Sequence, residues 1–230
     1  MPQTTTKTAL VTGGTGGLGA AVTAELLGAG WRVVVPWVAE GELDRVERRE
    51  DLVLVQADVL DPAQAATAVA AAGDDLHAVV NLVGGFAQGG RVHETPVEDF
   101  EAMLRLNLRP AYLVCAAALP PLRAAGGGTI VCVSARAALR PFAGAAGYAV
   151  AKAGVLAFVD ALDAEYRGDG IRANAILPSV IDTPANRAAM PDADTSRWVR
   201  PVEIARTIRW LCSDDSSATS GAHVPVYGRA

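Results

Sequence analysis

The chain predicts an α/β fold, a doubly wound parallel sheet with helices on both faces. Three observations predict it. Apolar runs of strand length alternate with helical stretches along the 230 residues, and their unbroken Val/Ile/Leu character marks strands buried on both faces. The first of these runs leads straight into a glycine-rich turn. Composition adds the third constraint: 51% of residues are hydrophobic but only 5% aromatic, so Ala, Val and Leu make the core and let helices approach closely.

Taken in order, Ala9-Leu10-Val11 is the first strand, and after the turn Ala20 to Leu27 reads as a helix closed by Gly28 and Gly30. Arg32 to Val35 and Leu52 to Gln56 are the second and third strands. Pro62 to Ala72, Ala-rich with proline in its first turn, is a helix. Ala78 to Val83 is the fourth strand, followed by one long helix from Val97 to Leu119 that stops at Pro120-Pro121. Thr129 to Val133 is the fifth strand, Gly147 to Tyr166 a helix ending before Gly168 and Gly170, and Ile171 to Leu177 the sixth strand. Pro201 to Leu211 is a helix and His223 to Val226 the last strand. Right-handed β-α-β crossovers then wind the sheet in both directions. No repeat, charge run or linker divides the chain, so residues 1–230 are expected to form a single domain. Gly84 to Gly90 and Pro184 to Ser196 are the long irregular stretches, both following strands, where such sheets bind ligands.

Several function classes drop out. Net charge is −5 with no Lys/Arg block, which argues against nucleic acid as a partner. Cys115, Cys132 and Cys212 lack CxxC or metal-ligand spacing, and His77, His93 and His223 stand alone, so no metal is expected. The polar stretch Met1 to Thr8 has no signal-peptide core, and Ala111 to Leu119 is too short to span a bilayer. The expectation is a soluble, cytoplasmic protein with reduced thiols, no membrane partner and a small-molecule substrate.

The turn reads Thr12-Gly13-Gly14-Thr15-Gly16-Gly17-Leu18-Gly19. It fits both G-x-G-x-x-G and T-G-x-x-x-G-x-G, between the first strand and first helix of a βαβ unit. Its glycines let the backbone approach a pyrophosphate, and the helix N-terminus stabilises the anion. This is a Rossmann-like dinucleotide site. No Gly-Lys-Ser/Thr closes the turn, which excludes a mononucleotide P-loop.

Tyr148 and Lys152 lie four residues apart at the start of a helix, on one face. An ammonium beside a phenol favours its ionised form, which general acid–base work requires. Together with the turn, the pair resembles the Y-x-x-x-K of the short-chain dehydrogenases/reductases, and the resemblance covers nearly the whole chain. Asp58, with Val59 beside it, resembles the family's adenine-contacting Asp. Asn81-Leu82-Val83-Gly84 resembles its N-N-A-G, Asn107 its helix Asn, and Pro178 to Thr183, which includes Val180, its P-G-x-x-x-T. The resemblance implies hydride transfer between a nicotinamide and substrate. Tyr148 would carry the proton, Lys152 would hold the ribose and lower the Tyr pKa, and Asn107 would complete the relay. It also implies cofactor contacts from Gly13, Thr15, Gly16, Gly17, Leu18, Gly19, Val83, Gly84, Val180 and Thr183, and pairing of long Ala-rich helices into a homodimer or homotetramer.

The pattern departs where the family carries a serine. Through the apolar run, that position falls on Ala135, and Ser134 lies one residue early. Side chains alternate along a strand, so the shift turns the hydroxyl away unless the strand end bends, which leaves Ser134 as a catalytic candidate. The dihydropteridine reductase branch also lacks this serine, and the segments Ala135 to Leu139, Leu177 to Arg187 and Met190 to Trp198 are similar to it. A quinonoid or imine acceptor needs less oxyanion stabilisation than a ketone. Phe86, Met190 and Trp198 are candidate apolar walls, and Arg136, Arg140 and Arg187 flank the site. The alternatives are a general ketone reductase or alcohol dehydrogenase, a non-redox isomerase or cyclase, and a cofactor-binding sensor. The residue that discriminates NAD from NADP falls on Trp37, which is neither acidic nor basic; Glu40 and Glu42 nearby repel a 2′-phosphate, so NAD is favoured.

Overall fold

The structure, a computed structural model, describes residues 7–229; most of the polar N-terminal stretch read above lies outside them. Seven parallel strands form one sheet: β1 (Thr8–Thr12), β2 (Arg32–Trp37), β3 (Leu52–Gln56), β4 (Leu76–Asn81), β5 (Gly128–Val133), β6 (Ile171–Pro178) and β7 (His223–Val226). Their order is β3-β2-β1-β4-β5-β6-β7. The chain steps outward from β1 to β3, then returns to the other side of β1. That reversal opens a crevice between the carboxyl ends of β1 and β4.

Residues alternate faces along each strand. Leu10, Val34, Val79, Ile130 and Ala175 bury toward α2 (Pro62–Ala70), α4 (Arg109–Ala124) and α5 (Ala146–Tyr166). Val11, Val35, Val80, Val131 and Ile176 bury toward α1 (Gly19–Gly28) and α7 (Pro201–Cys212). Two apolar layers therefore sandwich the sheet, as the continuous apolar runs require.

Three elements differ from the sequence reading. The long helix from Val97 to Leu119 is two helices, α3 (Val97–Asn107) and α4, joined at Leu108 with φ −108° and ψ −45°. Pro110 forces the break, because it lacks an N–H and its ring crowds the carbonyl four residues back. Conversely, α4 runs through Pro120 and Pro121 to Ala124. Ala116 and Pro120 are exposed, so the carbonyl that Pro120 leaves free lies on the solvent side of the helix. The stretch after β6 contains a short helix, α6 (Pro184–Ala189), capped by Thr183, whose Oγ1 accepts from the Asn186 amide at 3.2 Å. The fourth strand also sits two residues earlier than expected, leaving Leu82 to Gly84 as loop at the crevice.

Candidate functional site

The turn after β1 is built by backbone sterics. Gly13 has φ +69°, and a Cβ on Gly19 would lie 1.9 Å from the Gly13 oxygen, so neither position accepts a side chain. Gly16 N–H donates to Gly13 O at 3.0 Å and closes the loop. Among the described residues the Gly17 and Leu18 amides have no backbone acceptor, and the first turn of α1 carries no acidic side chain. This cradle fits a pyrophosphate at the positive end of α1. Thr183 on the loop after β6 reaches across to it: a Cβ on Gly17 would sit 3.1 Å from Thr183 Cγ2.

At the β2–β3 end, Trp37 is half-buried as the last residue of β2, and its carbonyl accepts from the Ala57 amide at 3.0 Å. Thr15 Oγ1 donates to Glu42 Oε2 at 2.8 Å, while Arg45 Nη1 donates to Glu42 Oε1 at 3.1 Å. A carboxylate from the loop after β2 thus sits on the phosphate turn, a contact across 27 positions that the sequence did not reveal. Asp58 Oδ1 accepts from the Leu60 amide at 2.9 Å, and the Val59 side chain is buried in the core. Pro178 is the buried end of β6, and Val180 beyond it is exposed.

Tyr148, Lys152, Asn107 and Gly84 converge at the carboxyl edge. Asn107 ends α3 at the helix break, 2% exposed. Its Nδ2 donates to Gly85 O at 3.0 Å and its Oδ1 accepts from Gly85 N–H at 3.1 Å, fixing the loop after β4. A Cβ on Gly84 would lie 2.6 Å from Asn107 Oδ1 and 3.1 Å from Lys152 Nζ, so glycine there leaves room for both side chains. Lys152 Nζ donates to Val133 O at 3.0 Å and lies 5.8 Å from the centre of the Tyr148 ring.

Burial moves the two groups in opposite numerical senses, each toward its neutral form. It pushes Lys152 down to about 8 and Tyr148 up to about 12. The resemblance implied a phenol acidified by Lys152; here desolvation dominates and the phenol keeps its proton at neutral pH.

Ser134 is turned inward. Its hydroxyl donates to the Lys152 carbonyl at 2.7 Å and the residue is 2% exposed. Strand geometry persists through Ala135, at φ −159° and ψ 157°, so the alternation argument holds and the hydroxyl faces α5. Ser134 and Val133 together grip Lys152 by its backbone oxygen and by its ammonium. Asn81 also points into the core: its Nδ2 donates to Cys115 Sγ at 3.3 Å and Cys132 Sγ at 3.6 Å. Val83 beyond it faces the glycine turn instead, with Val83 N 3.2 Å from where a Gly13 Cβ would be.

Of the flanking arginines, Arg187 is paired with Asp182 at 2.5 Å and Arg136 lies 5.3 Å over the Tyr227 ring. The sequence reading missed Phe142, whose ring centre is 6.0 Å from that of Phe86. Phe86 in turn meets Tyr148 edge to face at 5.1 Å. Its own sequence context, an exposed loop before α5, gave no signal beyond an apolar residue next to Pro141.

Fold and site together define a dinucleotide-binding oxidoreductase. The family described as enoyl-(acyl carrier protein) reductase matches residues 13–228. The 2-(R)-hydroxypropyl-CoM dehydrogenase of Xanthobacter autotrophicus is 31% identical, over 96% of this chain and 97% of that one. The D-threitol dehydrogenase of Mycolicibacterium smegmatis is 32% identical, over 96% and 92%. A short-chain dehydrogenase/reductase structure from Burkholderia thailandensis superposes with a TM-score of 0.87 at 28% identity, covering 98% of this chain and 92% of that one. The chain belongs to the short-chain dehydrogenase/reductase family and is an oxidoreductase of that class.

Proposed function

We propose that this enzyme interconverts a secondary alcohol and the matching ketone with NAD as its preferred cofactor, Tyr148 carrying the proton. The observation behind this reading is the convergence of Tyr148, Lys152, Asn107 and Gly84 beside the phosphate turn. The Gly13–Gly19 cradle and the cleft at Gly84 fit the two ends of a nicotinamide dinucleotide. When bound, the nicotinamide supplies or accepts the hydride.

The chain's own residues do the rest. Tyr148, protonated at neutral pH, donates to the carbonyl oxygen during reduction. Lys152 is charged below about 8, directs that charge at the cofactor ribose and the phenol, and is held there by Val133 and Ser134. Asn107 continues the relay and fixes Gly85. Glu42, bonded to Thr15 on the phosphate turn, repels a 2′-phosphate, which supports NAD over NADP. Relatives named for hydroxypropyl-CoM and threitol oxidation support an alcohol or ketone substrate.

A second reading has one observation in its favour. Ala135 supplies no hydroxyl where the family uses serine, and Ser134 Oγ is committed to Lys152 O. An electron-poor quinonoid or C=N acceptor, as in the dihydropteridine reductase branch, needs less oxyanion stabilisation. Purified protein with NADH or NADPH, given secondary ketones in one series and quinonoid dihydropterin in another, separates the two readings. Faster oxidation of NADH by ketones supports the first, and turnover confined to the dihydropterin supports the second. Assembly into a homo-oligomer is part of the proposal: the outer face of α3, α4 and α5 carries a groove of about 720 Å³ lined by Tyr112 and Phe158. A cytoplasmic setting fits the three free cysteines.

A further inference from the structure

We propose that Phe86 and Phe142 form a preformed subsite for an uncharged aromatic ring carried close to the reacting carbon, so that the substrates are aryl-bearing alcohols and ketones. The proposal rests on the alcohol–ketone reading above and names its substrate class. The chain has only four phenylalanines, yet two of them stand exposed, Phe86 (55%) against the Tyr148 ring and Phe142 (49%) against Phe86. Exposed apolar surface rimming a reactive group marks a ligand surface.

The geometry is that of a recognition surface. Phe86 stands at 84° to the Tyr148 ring with centres 5.1 Å apart, and Phe142 tilts 48° from Phe86 at 6.0 Å. A carbonyl bonded to the Tyr148 hydroxyl carries its substituent toward the edge-on Phe86 ring, with Phe142 the next ring out. The two phenylalanines sit on different loops, and those loops are tied together. Gly89 N–H donates to Gly144 O at 2.8 Å, Gln88 Nε2 donates to Ala143 O at 3.3 Å, and a Cβ on Gly144 would meet Gly89 O at 2.5 Å. Ordering this wall costs little on binding, because backbone bonds already hold it.

The test uses phenylacetone and butanone, methyl ketones of like intrinsic reactivity, with NADH and the wild-type, Phe142→Ala and Phe142→Leu proteins. The expected kcat/KM favours phenylacetone by about 30-fold. In Phe142→Ala that preference falls by about tenfold, with Phe142→Leu between. Calorimetric binding of the alcohol of phenylacetone to the protein with NADH, a pair that cannot exchange hydride, reads the subsite without turnover, and its Kd is expected to rise about tenfold in Phe142→Ala. An aryl-to-alkyl ratio near one, or a Kd that Phe142→Ala leaves unchanged, overturns the subsite. Aryl-alcohol binding that Phe142→Ala weakens, with no ketone turnover in any variant, keeps the subsite and overturns the alcohol–ketone reading.

Discussion

Lys152 titrates near 8 and Tyr148 near 12 because each is buried, which suits the pair to the carbonyl reduction proposed above. At neutral pH the lysine is charged and the phenol holds the proton that a carbonyl oxygen needs. The rate of reduction is therefore expected to fall above about pH 8 as Lys152 loses its charge. Lys152→Arg moves that fall to higher pH, since a guanidinium stays charged; an unmoved limb in the pH–rate profile assigns it to another group. The same shift has a stability consequence. A base with a depressed pKa leaves the unfolded chain holding more protons between about 8 and 10.5, so its contribution to stability rises with pH across that window. Denaturant midpoints at either end of the window are expected to diverge less in Lys152→Met than in the parent. Spacing placed Tyr148 and Lys152 on one helix face, but it was the glycine turn and the family resemblance that singled the pair out. The alternation argument also gave the inward turn of Ser134, but its acceptor, the Lys152 carbonyl on another element, was not visible in any local pattern.

Between elements, Ser134 and Val133 make the clasp that joins the end of β5 to α5. Removing the hydroxyl in Ser134→Ala costs about 1–2 kcal/mol of stability, the range for a buried hydrogen bond lost with its acceptor left behind. Differential scanning calorimetry measures it, and an unchanged Tm contradicts the clasp. The turn between β1 and α1 is stricter. A methyl group on Gly19 would overlap the Gly13 carbonyl, so Gly19→Ala is expected to weaken NAD binding by at least about 100-fold, equivalent to about 3 kcal/mol. Equilibrium titration of cofactor against the folded variant checks this; affinity within a few-fold of wild type removes the turn from the site. Strand and helix identities were legible because apolar runs and glycine stops are local signals. The breaks were less so. Pro110 was in plain view, but whether a proline ends a helix depends on where the freed carbonyl points, and Pro120 and Pro121 are tolerated because Ala116 faces solvent.

At the scale of the whole molecule, the strand order reverses at β1 and β4, and the Gly13–Gly19 turn, Gly84 and Thr183 each follow the carboxyl end of a strand. Alternating strands and helices predicted this architecture. They did not predict which loops touch, and the ties from Thr15 to Glu42 and from Gly89 to Gly144 exist only because the winding brings distant segments together. Under the proposed preference for NAD, Glu42→Gln is expected to raise the NADP-to-NAD ratio of kcat/KM by about tenfold, the scale of one removed charge repulsion near a phosphate. A ratio that does not move places discrimination elsewhere. The outer face of α4 and α5 exposes Tyr112, 56% accessible and 5.9 Å from the Phe158 ring. Light scattering is expected to show an oligomer that Tyr112→Glu dissociates, and a monomeric parent protein refutes that use of the face.

The central claim is that Tyr148 transfers the proton at a site where NAD transfers hydride. The most direct test follows NADH oxidation by a panel of secondary ketones with wild-type protein and with Tyr148→Phe, cofactor affinity being measured for both. Turnover is expected to fall by at least about 100-fold in the variant, the scale of a lost general acid, with NADH affinity within a few-fold of wild type. Equal turnover by the two proteins would contradict that claim.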